Sequence, residues 1–137
     1  MQVTFYYCPV CGNLVLMLLP SGVTPVCCNQ EMEVLEPNTA EASTEKHLPV
    51  VTCDKEGTRV SIGSEPHPMT EAHHIQLIVL VTTHGIHIRH LTATDAPEAL
   101  FPMHCGTPSS CSSPTSCSTP LAAYAYCNLH GLWRTNL

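Results

Sequence analysis

The chain has 137 residues, with nine cysteines and nine histidines against five basic and eleven acidic residues, for a formal net charge of −6. So few cations exclude a nucleic-acid surface, which neutralises phosphates with clustered Lys and Arg, and no apolar run reaches the ~18 residues of a membrane helix. Cys plus His outnumber all charged residues, and in a chain read as unexported that surplus points to metal rather than disulfides.

The first element in chain order is a short strand, Thr4 to Tyr7, running into Cys8-Pro9-Val10-Cys11-Gly12. A second strand is predicted over Asn13 to Leu19 and ended by the turn signal Pro20-Ser21-Gly22. The apolar run Leu14 to Leu19 has no basic segment before it and no small-residue cleavage pattern after it, so it does not read as a secretory signal, and a cytoplasmic location is expected. Val23 to Val26 then leads into the adjacent pair Cys27-Cys28, sixteen residues beyond Cys11. Nine is an odd number, and adjacent cysteines rarely bridge each other. Two thiolate pairs joined by a short loop can instead close a tetrahedral S4 site, which fits zinc or a single iron. Residues 1–36 therefore form a small unit that a metal would stabilise. Glu36-Pro37-Asn38-Thr39 reads as a linker.

The remainder, 37–137, is predicted as mainly β. Leu48 to Cys53 and Thr58 to Ile62 form a hairpin around Asp54-Lys55-Glu56-Gly57. Ile75 to Thr82 is nearly continuous apolar and β-branched, the mark of a strand buried on both faces. His84-Gly85 turns the chain so that Ile86 to Leu91 pairs back. Residues 104–120 are rich in Ser, Pro and Thr with Cys105, Cys111 and Cys117 at six-residue intervals, a composition expected to form a flexible insert. Leu121 to Tyr126 resumes strand character before Cys127-Asn128-Leu129-His130-Gly131. Strands at this spacing suggest an antiparallel sandwich.

Three polar motifs border these strands: Glu45-Lys46-His47-Leu48-Pro49, His67-Pro68-Met69 with His73 six residues on, and Cys127-Asn128-Leu129-His130. Together with the two N-terminal cysteine pairs, and with Asp95-Ala96-Pro97-Glu98-Ala99 and Tyr126 to Trp133, they give a chain that resembles the desulfoferrodoxins, the two-iron superoxide reductases, from Phe5 to Trp133. The resemblance implies a desulforedoxin-like domain over 1–36 holding Fe(Cys)4 through Cys8, Cys11, Cys27 and Cys28. It further implies an immunoglobulin-like β-sandwich over 37–137 holding a catalytic iron. Its equatorial ligands would be His47, His67, His73 and His130, its axial ligand Cys127, with the sixth position open. The reaction implied is one-electron reduction of superoxide to hydrogen peroxide, with a rubredoxin-like electron donor and a homodimeric assembly. Lys46 would draw in superoxide and position a proton-donating water, while Glu45 would occupy the sixth position of the resting ferric iron. Four neutral imidazoles and one thiolate around Fe(II) leave a formal charge of about +1, which favours a small anion.

Two other readings compete: a non-catalytic zinc knuckle with a β-sandwich interaction domain, and an electron carrier whose second iron lacks an open position. Among the remaining residues, Cys53 is expected as a small core residue, and strand alternation turns His74 away from the site. His84, His87 and His90 are expected on a solvated hairpin face, and His104 with Cys105, Cys111 and Cys117 in a disordered insert with reactive thiols. Trp133 is expected to pack beneath the site. Asn29, where Gly often follows the paired cysteines, should tolerate a left-handed conformation. The scarcity of lysine beyond Lys46 predicts weaker long-range steering than in the family.

Overall fold

The computed structural model describes residues 2–40, 46–103 and 118–137. The chain divides into two compact units, Met1–Glu36 and Pro37–Leu137. All regular structure among the described residues is β, and no helix among them is long and apolar enough to cross a membrane.

In the first unit, β1 (Thr4–Tyr7) lies between β2 (Leu14–Met17) and β5 (Glu33–Leu35), while β3 (Val26–Cys27) pairs with β4 (Gln30–Glu31). The β1–β2 connection is the Cys-x-x-Cys-Gly knuckle. Gly12 adopts φ 81°, which lets its N–H donate to the Cys8 carbonyl at 2.8 Å while the Cys8 N–H donates to Asn13 O at 2.9 Å. The β3–β4 turn consists of Cys28 and Asn29, both at positive φ (53° and 61°), the sign that a two-residue hairpin turn with the correct twist demands. Asn29 thus takes the left-handed conformation expected of it. The core is small: Val3, Phe5, Cys8 and Met32 are its buried apolar residues. β2 ends at Met17, two residues short of the predicted strand, because its pairing with β1 stops at Thr4↔Met17 and leaves Leu18 and Leu19 exposed.

The second unit is a two-sheet antiparallel sandwich. One sheet has the order β10-β7-β6, from β6 (Pro49–Asp54), β7 (Gly57–Ile62) and β10 (Glu98–Phe101). The other has the order β12-β11-β8-β9, from β8 (Ile75–Thr82), β9 (Gly85–His90), β11 (Pro120–Cys127) and β12 (Gly131–Asn136). Val60 and Ile62 of β7, Ile78 and Leu80 of β8, Ala99 and Phe101 of β10, and Ala123 and Ala125 of β11 share the core. Each large apolar side chain so buried contributes about 1.5–3 kcal/mol. β8 is covered on both faces as its composition demands: Ile78, Val79, Leu80 and Val81 are all buried.

Several local expectations change. Asn38, read as part of a linker, bridges to Trp133 in β12: its N–H donates to Leu132 O and its carbonyl accepts from Arg134 N, each at 2.9 Å. Ser118 and Pro120, assigned to the insert, belong to the ordered sandwich. Ser118 is buried, with its hydroxyl 2.9 Å from that of Thr82, and Pro120 opens β11. Cys53 is exposed and disulfide-bonded rather than a core residue, because it sits near the tip of the β6–β7 hairpin, past the last buried positions of β6. His104, Cys105, Cys111 and Cys117 lie outside the described residues. The Asp95 carboxylate accepts the Thr92 N–H at 2.7 Å and its hydroxyl at 3.0 Å. These bonds hold its pKa below the ordinary carboxylate value and close the turn before β10.

Candidate metal centres

The knuckle and the β3–β4 turn bring Cys8, Cys11, Cys27 and Cys28 together, with their sulfurs all within 4.8 Å of one another. The Cys11–Cys27 and Cys27–Cys28 sulfur separations are 3.5 and 3.9 Å. A tetrahedron with metal–sulfur bonds of ~2.3 Å has edges of about 3.8 Å, so the donors fit one metal. The acid–base properties agree. The Cys11 backbone N–H holds the Cys8 thiol down at about 7, whereas sharing among the sulfurs of Cys11, Cys27 and Cys8 pushes Cys28 up to about 12. Cys27 is likewise raised, chiefly by Cys11. Four crowded sulfurs resist joint ionisation, and a cation relieves that resistance. The side-chain amide of Asn13 also donates to the Cys27 sulfur at 3.6 Å.

The second centre lies at one end of the sandwich. His47 precedes β6, His67 follows β7, His73 precedes β8, Cys127 ends β11 and His130 lies in the turn to β12. The pairing of Cys127 with both Ile75 and Gly131 draws these segments together, and a register shift between Tyr126 and Cys127 re-aims the thiol. His47, His67, His73 and Cys127 each bring a donor atom within 4.8 Å of the others. His130 closes the group, with its Nδ1 3.0 Å from His47 Nε2 and 3.8 Å from the Cys127 sulfur.

The four rings form a near-square. Neighbouring centroids are 4.7 Å apart for His47–His67 and His67–His73, and 4.9 Å for His73–His130 and His130–His47. The His47–His73 diagonal is 6.3 Å, and each ring stands at 63–83° to its neighbours. Adjacent corners of a square of metal–nitrogen bonds of ~2.1 Å lie about 3.0 Å apart, the His47–His130 separation. His67 Nδ1 donates to the Pro68 carbonyl at 2.8 Å, which fixes the tautomer and presents the Nε2 lone pair for ligation. Cys127 is fully buried and belongs to the core cluster, so its sulfur comes from the interior. The residues fit a metal held by four imidazoles and one thiolate.

Trp133 stacks on His47, with centroids 4.4 Å apart and planes 11° from parallel, and its indole N–H donates to His130 O at 3.2 Å. It packs beneath the site as its position suggested. Lys46 is half-buried beside His47. Gly63, at φ 85°, comes so close that a Cβ there would lie 2.7 Å from the Lys46 carbonyl oxygen and 2.9 Å from its Cβ, so glycine is what allows the chain to back the Lys46 segment. Glu45 lies outside the described residues. His74 stays out of the cluster, its Nδ1 bonded to Thr70 O at 2.9 Å. His84 and His90 are exposed and His87 packs near Phe101, so among the described residues the hairpin histidines form no centre. Sequence reasoning gave Asn128 no role, yet its side chain bonds Ala72 and His74, the residues either side of His73. The signal available was a side-chain amide directly following a ligand cysteine.

Solved structures share this fold. The superoxide reductase of Treponema pallidum matches with a TM-score of 0.76 and 29% identity over 98% of both chains. A superoxide reductase of Giardia intestinalis matches with a TM-score of 0.50 and 27% identity, over 69% of this chain and 98% of its own. Fold and sites together define an iron-binding oxidoreductase of the superoxide reductase class. The family model for desulfoferrodoxin matches residues 39–136, and that for the desulfoferrodoxin N-terminal domain matches residues 1–35. The desulfoferrodoxin of Syntrophotalea carbinolica is 41% identical over 128 residues, covering 93% of this chain and 91% of its own. A desulfoferrodoxin homolog of Methanothermobacter thermautotrophicus is 39% identical over 128 residues, covering 93% and 94%. The chain belongs to the desulfoferrodoxin family, which sets aside the zinc-knuckle and electron-carrier readings.

The stacking on His47 makes a direct reporter. Trp133 is the single tryptophan, so anaerobic addition of Fe(II) to metal-free protein should quench its emission. The His47→Ala variant should lose most of that quenching. Emission indifferent to iron would contradict a metal bound among these imidazoles.

Proposed function

We propose that His47, His67, His73, His130 and Cys127 hold the iron at which superoxide is reduced to hydrogen peroxide, the overall change being uptake of one electron and two protons. The observation that carries this assignment is the near-square of imidazoles above a thiol buried in the core. Iron bound there supplies the electron, and a thiolate ligand raises electron density on the metal. Because Cys127 approaches from the core, the side of the square opposite it is left for substrate.

Lys46 is the cation that serves this side. Of the other four basic residues, Arg59 is engaged by Glu56 and Glu98, and Arg89 donates to Leu100 O. Lys46 Nζ attracts the superoxide anion and orients a water that delivers a proton to it. Glu45, next to it in the chain, would supply a carboxylate ligand to the oxidised iron. The Cys8/Cys11/Cys27/Cys28 centre has four protein ligands and no place for substrate, so its role is electron storage or structural support. We assign the two modules to residues 1–36 and 37–137, the electron source to a rubredoxin-like donor, the assembly to a homodimer and the location to the cytoplasm.

Anaerobically purified protein should contain about two irons per chain, one for each cluster, and should consume superoxide in pulse radiolysis. Lys46→Ala should lower the second-order rate roughly tenfold at low salt and flatten its dependence on ionic strength, whereas Lys46→Arg should keep both. A full rate with unchanged salt dependence in Lys46→Ala would remove Lys46 from the mechanism.

A further inference from the structure

We propose that Asn128 is a positioning residue, whose side-chain amide holds His73 in the imidazole square by gripping the backbone on both sides of it. Three hydrogen bonds make the grip. Asn128 Oδ1 accepts the His74 N–H at 2.9 Å, its Nδ2 donates to Ala72 O at 3.1 Å, and its own N–H donates to His74 O at 3.2 Å. The residue between the two gripped peptides is His73.

His73 needs such support because of where the chain puts it. It lies in the β7–β8 connection and is only half-buried, whereas His47 and His67 are 1% and 3% exposed and locked by packing. The ties within its own loop are local: His73 N–H donates to Thr70 O at 3.1 Å, and Thr70 N–H donates to His73 O at 2.9 Å. Those bonds shape the turn without anchoring it to the sheet that carries Cys127. Asn128 supplies the anchor, since it directly follows Cys127 and so ties the Cys127 thiol and the His73 ring into a single rigid piece. The chemistry is specific to a carboxamide, which offers one acceptor and one donor to two peptide groups facing opposite ways. An aspartate would set a second acceptor against the Ala72 carbonyl, and an alanine would reach neither. Groups that orient ligands in this way typically affect metal affinity 10–100-fold.

The inference rests on His73 being a ligand, and the test separates the two. Holoprotein carrying iron in both centres is challenged with a strong Fe(II) chelator, and iron loss is followed separately at each. Asn128→Ala should release the iron of the histidine-rich centre roughly 10–100-fold faster than the natural chain, with release from the all-cysteine centre unchanged. Asn128→Asp, which keeps only the bond to His74, should fall between. The sulfur-to-iron absorption band of the ferric centre should shift in both variants. Thr58→Val is the control for general loosening of the sandwich, since it removes the hydrogen bond to Met103 O at 3.2 Å, near the opposite end of β7 from the site. A natural release rate in Asn128→Ala, or equal acceleration in Thr58→Val, would overturn the proposal. If His73→Ala itself keeps iron at the natural rate, the ligand assignment beneath it fails instead.

Discussion

Cys127→Ser is expected to abolish superoxide reduction while leaving the N-terminal centre intact. The loss should exceed the ~100-fold upper range seen when only the outer partners of metal ligands are removed. Cys127 is fully buried and stands where β11 meets both β8 and β12, so serine fits the space but is held in the same place. Its hydroxyl stays protonated where the thiol ionises on metal binding. The formal charge of a ferrous centre then rises from about +1 to about +2, and the electron-rich donor disappears. The four imidazoles remain, so iron is expected to stay at the site in much of the protein. Pulse radiolysis with parallel iron determination checks this. Iron retained with activity lost assigns the thiolate to electron donation, whereas natural superoxide consumption in Cys127→Ser would refute its place in the centre.

Much of the sandwich was legible because its strands obey burial rules that act locally. Ile75–Thr82 announces a central strand by being apolar throughout, and it lies between β11 and β9. The Asp54 to Gly57 turn fixes the β6–β7 hairpin within a residue. Less visible were β4, β5, β10 and β12. β4 and β5 have two and three residues, too short for any periodicity. β4 pairs with β3 across the positive-φ turn at Cys28 and Asn29, and β5 pairs with β1, far back in the chain, so apolar patterning reveals neither. β10 and β12 carry the motif residues Glu98-Ala99 and Leu132-Trp133; β10 pairs with the distant β7 through Ser61↔Glu98, and β12 pairs back on β11 through Ala125↔Trp133. Cys53 is the plainest miss, because a cysteine in a strand says nothing of whether that end of the strand outruns the core.

The candidate sites show the same division. The residues that cluster in each site were named through the four-cysteine spacing and the family resemblance, but most of the support around them was not. Trp133 was expected beneath the site, though not that it lies flat on His47, and no pattern along the chain says that Gly63 backs Lys46 or that Asn128 spans His73. The contacts of Asn128 and Trp133 join residues far apart in the chain and arise only when the sheets close. A function read from ligands alone therefore understates how the protein holds them.

Cys11→Ser should cost the protein its N-terminal iron and the fold of the first unit, yet spare superoxide reduction. Cys11 is exposed and contributes no core packing, so the substitution acts through the metal. The unit's core consists of Val3, Phe5, Cys8 and Met32, of which Cys8 is itself a donor. So small a core leaves folding dependent on the metal, whose coupling in comparable thiolate sites is about 10–16 kcal/mol. Serine leaves three thiolates and a neutral hydroxyl, and removes the sulfur 3.5 Å from that of Cys27. Iron content should fall from about two to about one per chain, with loss of the absorption due to the all-cysteine centre, while the rate measured by pulse radiolysis stays within about twofold, since effects at independent sites do not couple. The sandwich has its own core and its own ligands, all within Pro37–Leu137. Activity falling together with the N-terminal iron would mean that the first centre takes part in the chemistry, and the division of labour between the two modules would have to be abandoned.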